Sequence, residues 1–138
     1  MKIHLESTFG PLNFKGTNER GQSLQMSGDK ESVSPMEAVL MAVAGCSSID
    51  IELILKKMRQ DLHKIEVEVD SLRADEDPKV FTKIKIHYIL HGNIKEEKAK
   101  QAIDLSMEKY CSVSIMLKKS VEINYDFEIR PVTWDESL

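Results

Sequence analysis

Two cysteines are the residues of this 138-residue chain with the clearest capacity for chemistry. Cys46 lies within "SPMEAVLMAVAGCSSIDIELILKKM", which reads as one long helix, and Cys111 lies in "EKYCSVSIML". A thiolate is a nucleophile, and two thiols whose α-carbons come within about 6 Å can cycle between dithiol and disulfide. The alternative is that both cysteines are small buried hydrophobic residues, as most free cysteines are.

The glycine before the first cysteine favours the chemical interpretation. Glycine in a helix interior costs about 1 kcal/mol relative to alanine, so Gly45 needs a reason to be there. We expect it to leave room beside Cys46, either for the second thiol or for the backbone of another helix. Cys111 is predicted to start a second helix, where the helix dipole and unpaired N–H groups would lower the pKa of its thiol.

The long helix that carries Cys46 has a clear start. Ser34 is a predicted N-cap, Pro35 suits the first helical position, and Glu37 completes a capping box. The pattern extends to about Arg59, which makes a helix about 39 Å long, whereas a domain of this length has a radius of gyration of about 14 Å. Its first half is apolar on every side, which predicts burial all round. We therefore expect a homodimer that encloses this helix.

Alternating and amphipathic segments predict the other elements. Three short strands precede the helix. Two long strands follow it, then two helices and a final strand, in the order ββ(β)α, ββ, αα, β. This order predicts an α+β fold, with a sheet wrapped around a central helix. The corresponding segments are "KIHLE", "LNFKG", "SLQMS", "KIEVEVDSLR", "KVFTKIKIHYILHG", "NIKEEKAKQAIDLSMEKY", "CSVSIMLKKS" and "VEINYDFEIRP". The length predicts a single domain over 1–138, with a tail at 131–138 that is either loose or packs Trp134.

Composition and spacing argue against several classes of function. A net charge of −4 without a basic cluster argues against nucleic acid as a partner. The N-terminus lacks a signal-peptide pattern and the apolar run Ala38–Cys46 is short for a bilayer, so we expect a cytoplasmic protein without a membrane span. The metal-binding pattern C-x-x-C does not occur in the sequence. His87 and His91 are four residues apart, but they lie in a predicted strand and not on a helix, where this spacing would place both on one face. We expect no metal and no cofactor.

Two segments together resemble the OsmC/Ohr family, and most closely its YhfA-like branch. They are "SPMEAVLMAVAGCSSIDIELIL" and "FTKIKIHYILHG…AIDLSMEKYCSVSIML". The shared features are a proline eleven residues before the first cysteine, a Tyr-Cys-x-Val-x-x-x-Leu segment, and a separation of 65 residues between the cysteines (111 − 46). The resemblance covers about residues 20 to 129.

The resemblance implies both a fold and an activity. The fold is an intertwined homodimer with two antiparallel sheets around paired central helices and active sites at the subunit interface. The activity is thiol-dependent reduction of organic hydroperoxides. Cys46 matches the cysteine that attacks the peroxide and Cys111 the resolving cysteine that forms the disulfide, which a dithiol reductant then opens.

The chain departs from the family pattern at the residues that would activate the thiol. Family members carry a glutamate directly after the motif proline, whereas Met36 follows Pro35 here and Glu37 comes one residue later. Arg20 matches the family's activating arginine. The alternative interpretation is that Arg20 is a solvated residue in a turn. These departures leave a second interpretation open, a redox-sensing or binding protein of this fold without efficient turnover. A third makes both cysteines core residues.

Overall fold

A computed structural model describes residues 1–8 and 10–132 of the chain. It contains two compact units, Met1–Met41 and Ala42–Leu138, and each is described by itself. Most of the predicted tail, including Trp134, lies outside the described residues. The described part confirms the α+β class and the predicted order of strands and helices.

The first unit holds a three-stranded antiparallel sheet. Its strands pair in the order β1-β2-β3. Gly21, in the turn between the second and third strands, has a φ of +82°, which glycine adopts without a steric penalty. The strands are β1 (Ile3–Ser7), β2 (Asn13–Asn18) and β3 (Ser23–Ser27).

The long helix, α1 (Pro35–Lys57), begins with the predicted capping box. The backbone amide of Glu37 donates to Ser34 Oγ at 3.1 Å, and the amide of Ser34 donates to Glu37 Oε1 at 2.9 Å. Two amides that the first turn would leave without a partner are therefore satisfied. At the other end, Lys56 and Lys57 complement the negative end of the helix dipole.

Within one chain, α1 is buried on one side, and its enclosure by a homodimer stays a prediction. One stripe, with a residue at every fourth position, is fully buried: Val43, Ser47, Ile51 and Leu55. Apolar side chains elsewhere on the helix are exposed, and Ile49 retains 62% and Leu53 53% of its accessible surface. A single chain therefore does not bury this helix all round. By length and composition α1 is also long and apolar enough to cross a membrane, since an 18-residue window within it has a mean hydropathy of 1.9, although core helices of soluble proteins share these properties.

The sheet of the second unit is mixed, which corrects the expectation of antiparallel sheets. Its strands, β4 (Asp61–Arg73), β5 (Phe81–Asn93) and β6 (Glu122–Arg130), pair in the order β4-β5-β6. β4 and β5 are antiparallel, but β6 runs parallel to β5. A parallel neighbour requires a crossover connection, and the helices between β5 and β6 supply it. One face of β5 is buried through Ile84, Ile86, Tyr88 and Leu90.

The crossover contains an irregularity that the sequence pattern did not predict. α2 (Glu96–Leu105) passes into one π-helical turn, Ser106–Tyr110, and α3 (Ser112–Leu117) follows. α2 buries Ala99, Ala102 and Ile103, as its amphipathic pattern predicted. The π turn places Cys111 directly between the two helices.

Candidate functional site

The second unit brings together the two thiols that the sequence singled out. One sulfur from each of Cys46 and Cys111 and one carboxylate oxygen of Asp50 all lie within 4.8 Å of one another. Both cysteines are free; Cys46 is half-buried and Cys111 fully buried. Thiol chemistry at this site therefore has solvent access through Cys46.

Cys46 is positioned by its buried neighbour on α1. Ser47 Oγ donates to the carbonyl of Val43 at 2.8 Å, and the Tyr88 hydroxyl donates to Ser47 Oγ at 2.6 Å. The first bond lies within α1, and the second ties α1 to β5 beside the thiol-bearing residue. Because successive residues of a helix are about 100° apart, Cys46 lies beside the buried stripe rather than within it. Its half-buried state follows from this placement.

Cys111 is positioned by the π-helical turn. Its amide donates to the carbonyl of Ser106, five residues earlier, at 2.6 Å. The Ser106 hydroxyl lies 3.1 Å from the carbonyl of Ser47 and 3.4 Å from Asp50 Oδ2. The turn that aims Cys111 is thus attached to the helix that carries Cys46. Single π-helical turns recur at functional sites in proteins.

The acidity of the second thiol differs from the sequence expectation. Cys111 is the N-cap of α3, as predicted, with an extended backbone (φ −73°, ψ 102°). Burial nevertheless raises the pKa of the Cys111 thiol, and the nearby Cys46 raises it further. Ser114 acts in the opposite direction through its hydroxyl and amide, but burial outweighs both. The predicted lowering of this pKa by the helix start is therefore wrong.

Tyr88 is a buried polar group near the two thiols that sequence reasoning missed. Burial raises the pKa of Tyr88 to about 12, and the two nearby thiols contribute in the same direction. The phenol therefore stays neutral near pH 7 and acts as a hydrogen-bond donor. Its signal was present in the sequence, because a tyrosine on the apolar face of a strand needs a polar partner. Ser106 had no such signal, since it reads as an ordinary residue of an amphipathic helix.

Gly45 does not have the predicted role within one chain. It is exposed, and a methyl group added at its α-carbon would meet nothing within 4 Å. The approach of Cys111 to Cys46 therefore does not depend on a glycine at this position. The second expectation for Gly45, room for another helix, remains a prediction.

Arg20 and Glu37 belong to the first unit, whereas the thiols belong to the second. Arg20 lies in the exposed turn between β2 and β3, where its Nε donates to Gln22 Oε1 at 3.1 Å and its amide to Asn18 Oδ1. Glu37 is engaged in the capping box with Ser34. Both side chains thus make local hydrogen bonds, and a role of either residue at the thiols stays a prediction.

Comparison with known proteins identifies relatives over most of the chain. The model of the family described as OsmC-like protein matches residues 28–126. Protein YhfA of Escherichia coli is 47% identical over 122 residues, which cover 86% of this chain and 90% of that protein. A hypothetical protein from Aquifex aeolicus has a similar structure, with a TM-score of 0.88, 30% identity and coverage of 96% of this chain and 97% of that one. The organic hydroperoxide resistance protein OhrB of Bacillus subtilis shares the fold, with a TM-score of 0.62, 16% identity and coverage of 93% and 98%.

Proposed function

Because this chain belongs to the OsmC-like protein family, as its sequence resemblance predicted, we propose that it is a thiol-dependent peroxidase that reduces organic hydroperoxides in defence against oxidative stress. Membership of the family and the fold shared with organic hydroperoxide resistance proteins support a peroxide-related redox role. The observation that carries the more specific proposal is the proximity of the two sulfur atoms, within 4.8 Å, in a chain with two cysteines.

Cys46 is the attacking thiol in this proposal, because it is half-buried whereas Cys111 is fully buried. The Cys46 thiolate attacks one oxygen of the hydroperoxide, and the O–O bond breaks. The alkoxide that leaves takes up a proton and departs as an alcohol. The sulfur gains the oxygen and becomes a sulfenic acid, which is the first and reversible product of thiol oxidation.

Cys111 is the resolving thiol. Its thiolate attacks the sulfur of the Cys46 sulfenic acid, the S–O bond breaks, and the oxygen leaves as water. The net reaction converts one hydroperoxide and two thiols into one alcohol, one water and one disulfide. A dithiol reductant then restores both thiols by exchange. A raised pKa suits a resolving thiol better than an attacking one, because only the attacking thiol must be deprotonated when peroxide arrives.

The active form in this proposal is a cytoplasmic homodimer. Small and apolar residues line one exposed face of α1, namely Ala42, Gly45, Ile49 and Leu53. An exposed apolar helix face of this kind is typical of a surface that another protein covers. Gly45 leaves open space where a second helix could approach closely. A reducing cytoplasm would keep the two thiols available between catalytic cycles.

One set of observations favours a second candidate, a redox-sensing or binding protein of this fold without efficient turnover. Glu37 is engaged in a helix cap and Arg20 donates to Gln22 in an exposed turn, so local hydrogen bonds engage both residues that the family pattern would use to activate the attacking thiol. A thiolate without a positioned cation forms less readily. Such a protein would still react with peroxide once, but slowly, and would pass the signal on as a disulfide.

Thiol titration with an organic hydroperoxide tests these candidates. The reduced protein is treated with one equivalent of hydroperoxide per chain, and free thiols are counted before and after. We expect both thiols to disappear together and dithiothreitol to restore them. Continuous consumption of hydroperoxide with dithiothreitol then supports the peroxidase, whereas a single reaction without turnover supports the sensor. Thiols that stay free in excess peroxide would overturn both.

A further inference from the structure

The two thiols and the Asp50 carboxylate form a three-ligand group that the peroxide reaction does not fully use. Hydroperoxide reduction needs the two sulfur atoms, but it assigns no step to Asp50. Asp50 lies one helical turn after Cys46 on α1 and is half-buried, with its oxygen within 4.8 Å of both sulfur atoms. The position of this carboxylate therefore calls for a separate explanation.

We propose that the reduced protein binds a thiophilic divalent cation of the zinc type through Cys46, Cys111 and Asp50. Zinc in proteins is held by cysteine sulfur at about 2.3 Å and by carboxylate oxygen at about 2.0–2.2 Å in tetrahedral geometry. In such a site two sulfur ligands lie about 3.8 Å apart and a sulfur and an oxygen about 3.6 Å apart. The three atoms lie within 4.8 Å of one another, so each pair needs to approach by at most about 1.2 Å. The fourth position is left for water or a small anion.

The softness of the donor atoms selects the class of cation. Thiolates prefer zinc and other thiophilic ions, whereas calcium and magnesium prefer sites made of oxygen atoms. The surroundings also support Asp50 as a ligand, because the Ser106 hydroxyl lies 3.4 Å from its Oδ2 and can hold the carboxylate in place. The half-buried Cys46 and Asp50 provide a path for the ion from solvent, and the buried Cys111 closes the other side.

Sequence spacing could not reveal this site. Local metal motifs place cysteines a few residues apart, whereas these two are 65 residues apart (111 − 46) and meet only through the fold. Binding displaces the protons of both thiols and leaves the ion with two thiolates and one carboxylate. Formation of a Cys46–Cys111 disulfide removes both sulfur ligands, so metal binding and peroxide oxidation exclude each other at this site.

Titration of the reduced protein with Co²⁺, followed by competition with Zn²⁺, tests the proposal. Cobalt bound by thiolates has a sulfur-to-metal charge-transfer absorption, which an adventitious surface ion lacks. We expect one Co²⁺ per chain with this absorption, displacement by one equivalent of Zn²⁺, and loss of the signal after oxidation with diamide. The Cys46→Ser and Cys111→Ser variants should each lose the charge-transfer band or most of its intensity.

Asp50→Asn is the informative variant, and Glu52→Gln is its matched control on the exposed side of the same helix. Loss of a residue that only hydrogen-bonds a metal ligand costs about 10–100-fold in metal affinity. Because Asp50 is itself a proposed ligand, we expect Asp50→Asn to weaken Zn²⁺ binding at least about tenfold. Glu52→Gln should bind like the wild type, and thermal unfolding without metal should show that both variants fold. Equal losses in the two variants, or a wild type without the charge-transfer band, would overturn the proposal.

The result is independent of the peroxidase proposal. A protein that turns over hydroperoxide but binds no Co²⁺ would refute only the metal site. A protein that binds Co²⁺ through its thiols but does not turn over hydroperoxide would refute only the peroxidase. Pre-loading with Zn²⁺ should also slow the loss of free thiols to hydroperoxide, which links the two activities where both are present.

Discussion

The Tyr88 hydroxyl donates a hydrogen bond of 2.6 Å to Ser47 Oγ, and this bond joins the central strand of the second sheet to the residue next to Cys46. A net contribution of about 0.5–1.5 kcal/mol is usual for such a bond, so we expect Tyr88→Phe to lower the free energy of unfolding by about that amount. Because the neutral phenol cannot act as a base near pH 7, the rate of Cys46 oxidation by hydroperoxide should change little.

Ser47→Ala is the companion variant and should cost more than Tyr88→Phe. Among the described residues, it leaves the buried Tyr88 hydroxyl with the sulfur of Met107, at 3.4 Å, as a weak acceptor. An unsatisfied buried polar group costs about 1–3 kcal/mol. Chemical denaturation of both single variants measures the difference. A large loss of oxidation rate in Tyr88→Phe, with stability retained, would instead assign Tyr88 a direct role in the chemistry.

Single cysteine variants decide which sulfur attacks. Treated with a slight excess of organic hydroperoxide, Cys111→Ser should form a sulfenic acid at Cys46, which dimedone traps and mass spectrometry detects. Cys46→Ser should remain largely unmodified, because Cys111 is buried and its pKa is raised. The wild type should lose two hydrogen atoms and form an intramolecular disulfide. A trapped sulfenic acid at Cys111 would reverse the assignment.

Variants of the two capping-box residues distinguish a structural from a catalytic role of Glu37. Ser34→Ala removes the acceptor for the Glu37 amide and should lower the free energy of unfolding by about 0.5–2 kcal/mol. Glu37→Gln should cost less, because glutamine can still accept from the Ser34 amide. Denaturation curves and hydroperoxide kinetics of both variants provide the comparison. Loss of peroxide reactivity in Glu37→Gln at unchanged stability would show that the glutamate is catalytic.

His87 should make the stability of the protein depend on pH. Its ring nitrogens contact Glu128 Oε1 at 3.0 Å and Asp126 Oδ1 at 2.6 Å, and these carboxylates raise the pKa of His87 above its ordinary value of 6.5. A raised pKa means that the folded protein binds the proton more tightly than the unfolded chain. The stabilisation is therefore complete below the ordinary pKa and is lost as pH rises through the raised one.

His87→Gln tests this pH dependence. The free energy of unfolding should fall more, relative to the wild type, at about pH 5.5 than at about pH 9. Removing the carboxylates in Asp126→Asn together with Glu128→Gln should abolish most of the difference. An effect of His87→Gln that is equal at both pH values would refute the assignment.

The proposed dimer predicts the mass of the protein in solution and the surface at which an added charge should dissociate it. Sedimentation equilibrium at micromolar concentration should return about twice 15.7 kDa. Ile49→Glu or Leu53→Glu places a charge on the exposed apolar face of α1 and should shift the mass towards the monomer. Val80→Glu, at an apolar position between β4 and β5 that is 53% exposed, is the control and should leave the mass unchanged. A well-folded wild-type monomer would rule the dimer out.

Local patterns in the sequence determined the elements and the family. The capping box at Ser34 and Glu37, the alternation along β4 and β5, and the amphipathic α2 depend on neighbours within a few residues, which a sequence displays directly. The resemblance to the OsmC/Ohr family depended on the same local segments around Cys46 and Cys111. Comparison with known proteins confirmed it.

The tertiary structure determines which residues surround the two thiols. The Tyr88–Ser47 bond and the place of Asp50 beside both sulfur atoms join residues that are far apart in the chain, so no local pattern encodes them. The raised pKa of Cys111 depends on how deeply the fold buries it, and burial outweighed the helix-start effect that the sequence suggested. The parallel pairing of β6 with β5 was likewise set by the crossover between them. Long-range packing, rather than residue type or spacing, determines these features.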